Sequence, residues 1–243
     1  MVKDQAIISV GINAQPPVGH PNIVYQRYAN GIAKIAADLQ RTGFSGEFLY
    51  WDRDYPEGSP PHEQIPFAFK PWAFKAAKTK QHNLVLWMDS SIRLRRPVDP
   101  LFRILQQQGY LFIDGCHSVG EYCSDAALAP LKITREESFQ MCSCWACVMG
   151  LNFNSDTSTE FLDEWLALSL DGITFPGPKW SGINGWPHTA SIDIRVKGHR
   201  YDQTAASVIA TRLGMRNWMP RHIFDHFFVN DRTSVRLMRE TCD

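Results

Sequence analysis

Residues Leu84 to Met88 (LVLWM) form an unbroken apolar run that stops abruptly at Asp89-Ser90-Ser91. A run this short, apolar at every position, reads as a strand covered on both faces. That requires a sheet with helices packed on either side. The segments around it supply such helices. Ala6 to Ile12 reads as a buried strand. A loop with Pro16, Pro17, Gly19 and Pro21 follows, and then apolar residues from Tyr25 to Leu39 fall at helical spacing up to Gly43. Phe48 to Trp51 reads as a second strand, and Pro71 opens a helix to about Lys80. Asp99-Pro100 begins another helix that Gly109 ends. Tyr110 to Ile113 is a strand ending in Asp114-Gly115, and a further strand lies around Cys147 to Leu151. Thr157 and Glu160 form an expected capping box, and Asp202 to Leu213 is a last helix, stopped by Gly214.

Strands alternating with helices predict an α/β fold with a mostly parallel central sheet. With 243 residues, no repeat and no linker, the expectation is a single domain over residues 1–243. In sheets of this kind ligands bind beyond the carboxyl ends of the strands, where Asp89 and Asp114 both stand. An acid after five apolar residues needs a partner or a cleft, although a turn or cap role is the plain alternative. The hydroxyls of Ser90 and Ser91 suit a ribose or a hard cation.

The charge balance narrows the partners. Lys plus Arg number 25 and Asp plus Glu number 25, which argues against a nucleic-acid-binding protein. The first residues are charged and no apolar run approaches a membrane span, so no signal peptide or transmembrane segment is expected and the location expected is cytoplasmic. In that setting the six cysteines are expected as thiols. Cys142, Cys144 and Cys147, with Cys116, His117 and Cys123 upstream, also invite a zinc reading. The spacing from Cys116 to Cys123 is too wide for the second half of such a site, and buried thiols are favoured. Trp180 and Trp186, in the loop FPGPKWSGINGWPHT, suit stacking on an acceptor sugar or a lid packed on the domain.

At this point the chain resembles a known family. FKPWAFKAAKTKQHNLVLWMDSSI is similar to the centre of a GT-A glycosyltransferase, where a hydrophobic strand delivers an Asp-x-Asp motif to a nucleotide-sugar. Asp89 matches the first acid, and Ser91 stands where the second would be. In YLFIDG, Asp114 resembles the acid after the next strand in retaining enzymes of the glycogenin and lipopolysaccharide galactosyltransferase group. CWACVMGLNFNSDTSTEFLDEW resembles their donor-sugar segment, YDQTAASVIATRLG their Asp-Gln motif, and RHIFDHFF a late segment that often gives a His to the metal.

The resemblance implies a glycosyltransferase moving a sugar from a nucleoside-diphosphate sugar to a glycan or glycoconjugate, with retention of configuration, in glycan biosynthesis. It implies a nucleotide-binding part over about residues 1–115 and a sugar- and acceptor-binding part over about 116–243. It implies donor contacts from Asp89, Ser90, Ser91, Lys70 and Arg93, with Arg95 a further basic candidate. Catalytic contacts fall to Asp114, Asp202 and Gln203, and acceptor contacts to Trp180 and Trp186. It also implies a divalent cation, Mn or Mg, held by Asp89 and His226, although a serine at position 91 is a weaker ligand than a carboxylate. The residues alone leave Asp202 as a helix cap, Gln203 as an exposed first-turn side chain, and Lys70, Arg93, Arg95 and Arg96 as a solvated surface. Two other functions stay open. A sugar nucleotidyltransferase would want a Gly-rich phosphate loop, of which Gly11 and Gly19 around Pro16-Pro17 are a poor version. A non-catalytic sugar-binding protein of the same fold would account for the missing second acid.

Overall fold

The computed structural model describes residues 4–12, 26–178 and 190–231. Strand β1 (Gln5–Val10) leads to helix α1 (Gln26–Arg41) and strand β2 (Glu47–Trp51). Helix α2 (Phe69–Thr79) returns the chain to β3 (Leu84–Met88), every residue of which is buried. Short β4 (Ile92–Leu94), helix α3 (Asp99–Gln108) and β5 (Tyr110–Leu111) follow, and Gly109 ends α3 in the left-handed region at φ 91°. The chain continues through β6 (Asp114–Ser118), a 3-10 turn at Gly120–Tyr122, α4 (Asp125–Leu131), α5 (Arg135–Gln140), β7 (Cys142–Cys144) and β8 (Val148–Asn152). It ends with α6 (Asp156–Leu168), α7 (Tyr201–Arg212), α8 (Arg221–Phe227) and β9 (Phe228–Asn230).

The main sheet has the order β2-β1-β3-β8-β5. Neighbours β2, β1 and β3 are parallel, and β8 runs antiparallel to both β3 and β5. The fold is therefore α/β with a mostly parallel sheet. Alternation along the strands divides the core. Ala6, Ile8, Val85 and Trp87 face α2, α6 and α7, while Ile7, Leu84, Leu86 and Met88 face α1 and α3. Because β8 lies between β3 and β5, the two halves expected from the sequence share one sheet. From β1 the chain passes to β2 on one side and then to β3 on the other. This makes a switch point between the carboxyl ends of β1 and β3, the place where such sheets bind ligands.

Several local expectations are corrected. The strand expected over Tyr110 to Ile113 is shorter. Asp114 instead opens β6, which pairs with β7 in a separate hairpin, so it does not stand at the end of a central strand. Helix α6 starts at Asp156, and its cap Ser155 makes no side-chain bond, so Thr157 and Glu160 form no capping box. The box that does form joins Thr134 and Glu137 at α5. Helix α2 begins two residues ahead of Pro71. No helix among the described residues is long and apolar enough to cross a membrane.

Candidate functional site

Asp89 emerges from β3 at the switch point. Its backbone N–H donates to the Cys147 carbonyl at 2.8 Å, and its carbonyl accepts from Ile92 N–H at 2.9 Å, which fixes a tight turn. The indole N–H of Trp87, two residues back on the same face of the strand, donates to Asp89 Oδ1 at 2.8 Å. Ser90, next in the turn, is buried under α1. A Cβ on Gly31 would lie 2.1 Å from the Ser90 carbonyl, so only glycine lets the helix approach this closely.

The side chain that organises the site is Lys70, only 3% exposed in the first turn of α2. Its ammonium has three oxygens around it: the Ala146 carbonyl at 2.9 Å, Asp89 Oδ1 at 3.2 Å and Asp202 Oδ2 at 2.9 Å. The Ala146 carbonyl accepts a hydrogen bond from it, and the two carboxylates add ion pairs. The approach to Asp202 is an ion pair without the alignment of a hydrogen bond. The rings of Phe67 and Trp87 stand 5.3 and 5.4 Å from the ammonium and shield it from water. Burial works to lower the Lys70 pKa, but Asp202 and then Asp89 outweigh it and hold the group above its ordinary range. Burial raises the Asp202 carboxyl to about 6. Lys70 opposes that rise and the Asp89 charge adds to it. The two directions agree physically, because one ammonium is shared by two acids and the more deeply buried acid is left short of compensation.

Asp202 is the second residue of α7, whose cap is Arg200. It is therefore not the helix cap, and its carboxylate is committed to Lys70. Gln203 is not a solvent-facing residue. Its amide N–H donates to His117 Nε2 at 3.2 Å and to Ser143 Oγ at 3.1 Å. His117 Nδ1 lies 2.6 Å from the Gly115 carbonyl, so the network assigns the proton to Nδ1 and leaves Nε2 to accept. Burial depresses the His117 pKa, and the ring is neutral at pH 7. Asp114 accepts from Cys116 N–H at 2.7 Å and lines a cleft of about 210 Å³ with Cys116, His117, Ser118, Phe139 and Cys142. Gln203 thus connects the Lys70 cluster to this cleft.

Two of the five described non-glycine residues with positive φ stand at the same place. Phe67 and Tyr201 are non-glycine residues with φ of 61° and 45°, and their rings meet at 5.4 Å beside Lys70. Such conformations cost on the order of 1–3 kcal/mol each and collect at functional sites.

Other expected contributors lie elsewhere. Arg93 donates to Asp38 at 2.8 and 3.0 Å, which braces β4 against α1. Burial pushes the Asp38 pKa up, and Arg93, Arg41 and the Leu94 N–H together bring it below its ordinary value. Arg95 donates to the Asp225 carbonyl at 3.2 Å and is exposed. In the β4–β9 ribbon Ile92 faces Asn230 and Leu94 faces Phe228. His226 therefore lies at the end of the ribbon remote from Asp89, exposed and edge-on to Phe227. The residue brought to the turn itself is Asp231, whose N–H donates to the Ser91 carbonyl at 2.9 Å while its carboxylate pairs with Lys34. Trp180 and Trp186 lie outside the described residues. Of the cysteines, Cys123, Cys144 and Cys147 are buried thiols, with burial raising Cys123 and Cys144 to about 12, and Cys116 and Cys142 are exposed.

These residues do not fit the divalent cation that the sequence resemblance implies. Asp89 Oδ1 is already held by Trp87 and Lys70, position 91 is a serine, and His226 is remote. Among the described residues no group of three or more His, Cys, Asp or Glu is disposed to hold a metal.

No protein-family model and no curated protein sequence matches the chain. Solved structures of similar shape include a glycosyltransferase involved in glycosylation of the major capsid of PBCV-1. It is 13% identical, with 93% of each chain covered and a TM-score of 0.48. Mouse xyloside xylosyltransferase 1 is 10% identical over 88% of this chain and 83% of its own, with a TM-score of 0.43. Galactosyltransferase LgtC, in complex with donor and acceptor sugar analogs, is 10% identical over 91% of this chain and 99% of its own, with a TM-score of 0.35.

Proposed function

We propose that the chain is a glycosyltransferase that takes its sugar from a nucleoside-diphosphate sugar and passes it to a hydroxyl of a glycan or glycoconjugate. The observation that carries this reading is the Asp89–Lys70–Asp202 cluster at the switch point of the sheet. An acid of the central strand and an acid of the first turn of α7 share one buried ammonium there. As the sugar leaves the diphosphate its anomeric carbon gains positive charge. Carboxylates fixed beforehand around that carbon stabilise the charge without reorganising. Asp202 is such a group, and Gln203, held by His117 and Ser143, sets the amide beside it. The ordered motifs MDSSI, YLFIDG and YDQTAASV support the same reading. The test is a panel of nucleotide-sugars, each assayed for hydrolysis and for transfer to simple glycosides. Release of nucleoside diphosphate from at least one, lost in Asp202→Asn, is expected. A folded protein that binds none of the panel refutes the proposal.

A further inference from the structure

The structure points to a donor site that works without a divalent cation, an inference that rests on the reading of the site just given. We propose that Lys70 is the resident positive charge of the acid cluster, and that nucleoside diphosphate binds here equally well with and without Mn or Mg. Three observations carry it. First, Lys70 occupies the position between Asp89 and Asp202 that a shared cation would need, 3.2 Å from one and 2.9 Å from the other. It is held there by the Ala146 carbonyl and walled in by Phe67 and Trp87, so it cannot swing aside at small cost. Second, among the described residues no group of three His, Cys, Asp or Glu forms around Asp89, and Asp231, which reaches the turn, is paired with Lys34. Ser90 is buried against α1, position 91 is a serine, and the ribbon register carries His226 away. Third, Asp89 is left with one oxygen tied and one open. Among the described residues both protein contacts fall on Oδ1, and the side chain is 31% exposed. A carboxylate in that state is an acceptor for neutral hydroxyls, such as the vicinal diol of a ribose, and it needs no cation to bind them.

The experiment uses the full chain and the diphosphates of uridine, guanosine, adenosine and thymidine as probes. Each is titrated calorimetrically in 1 mM chelator and again with excess Mn. The expected result is that at least one nucleotide binds with affinities within about twofold in the two conditions. A loss of tenfold or more in chelator overturns the inference and leaves the glycosyltransferase reading intact. Binding in neither condition overturns both. A second measurement follows the metal itself. Mn(II) electron paramagnetic resonance is expected to show no bound ion in the wild type with nucleotide. Lys70→Gln, which frees two facing carboxylates, is expected to gain a bound ion. Stoichiometric Mn(II) on the wild type overturns the inference, as does a folded Lys70→Gln that gains none. If that variant does not fold, the wild-type titration decides alone.

Discussion

Asp202→Asn is the substitution whose outcome differs most between a structural and a functional role for this acid. The folded protein raises the Asp202 carboxyl from 3.8 to about 6. A folded pKa above the unfolded one means that ionisation costs stability, so the contribution of the protonated form is full below about pH 4 and is lost as pH rises through about 6. Two pKa units correspond to about 3 kcal/mol at pH 7. Asparagine resembles the protonated acid and avoids that cost. The variant should therefore be the more stable protein at neutral pH by up to about 3 kcal/mol, or about 6–12 °C in Tm for a chain of this size. The gain should shrink to about 1 kcal/mol at pH 4.5. Turnover should fall about a hundredfold, the usual effect of removing one group that stabilises a developing charge. Thermal melts at pH 7.5 and denaturant titrations at pH 4.5 measure the first claim, and nucleotide-sugar turnover the second. A variant that melts below the wild type at pH 7.5, or whose offset does not change with pH, refutes the account of the cluster.

Lys70→Met removes the only positive charge in the trio and leaves the buried Asp202 uncompensated beside the half-buried Asp89. The expected cost is about 3–5 kcal/mol, read as a drop of about 6–20 °C in Tm. Gly31→Ala would gain about 1 kcal/mol in an ordinary helix. Here its Cβ meets the Ser90 carbonyl, so a lower Tm and weaker nucleoside-diphosphate binding are expected together. Arg93→Ala should cost about 1–3 kcal/mol by leaving Asp38 under-compensated, with nucleotide affinity unchanged. The Asp38 pKa is depressed in the folded state. Its stabilisation is therefore present above about pH 4 and is lost as pH falls further, so the Arg93→Ala penalty should fade in acid.

What the sequence made legible was local. The five apolar residues of β3 allowed one interpretation, and the structure buries all five with Asp89 at their end. Asp99-Pro100 and Gly109 bracket α3 within a residue. What stayed hidden depends on contacts between distant segments. Nothing around Lys70 marks it as buried, because its burial comes from Phe67, Trp87 and the start of α7 meeting over it. A lysine before a proline looks like a solvated residue until those elements pack. Asp114 was misplaced because Tyr110 to Ile113 reads as one strand, whereas the chain switches sheets inside it. His117 entered the sequence reading only through nearby cysteines. Its link to Gln203 crosses 86 residues and has no sequence signature. The left-handed φ of Phe67 and Tyr201 was equally invisible, since neither residue type favours it.

The charge count of the cluster connects these features. With both acids ionised, Asp89, Asp202 and Lys70 sum to one negative charge, and Asp202 bears most of the strain as the one fully buried acid. A protein selected for stability alone would do better with an asparagine there. Under the proposed glycosyl transfer, the imbalance becomes useful when a sugar cation develops nearby. The fourth charge then brings the set to neutrality, and the attraction is strongest at the moment of bond breaking. Lys70 is essential to that arrangement. Without it the buried Asp202 carboxylate would lose its counter-charge, and with a second cation the imbalance that would favour the transition state would already be cancelled in the resting protein. On the proposed function, the single lysine, the serine at position 91 and the raised pKa of Asp202 answer one requirement: a buried negative charge kept available until the sugar supplies its partner.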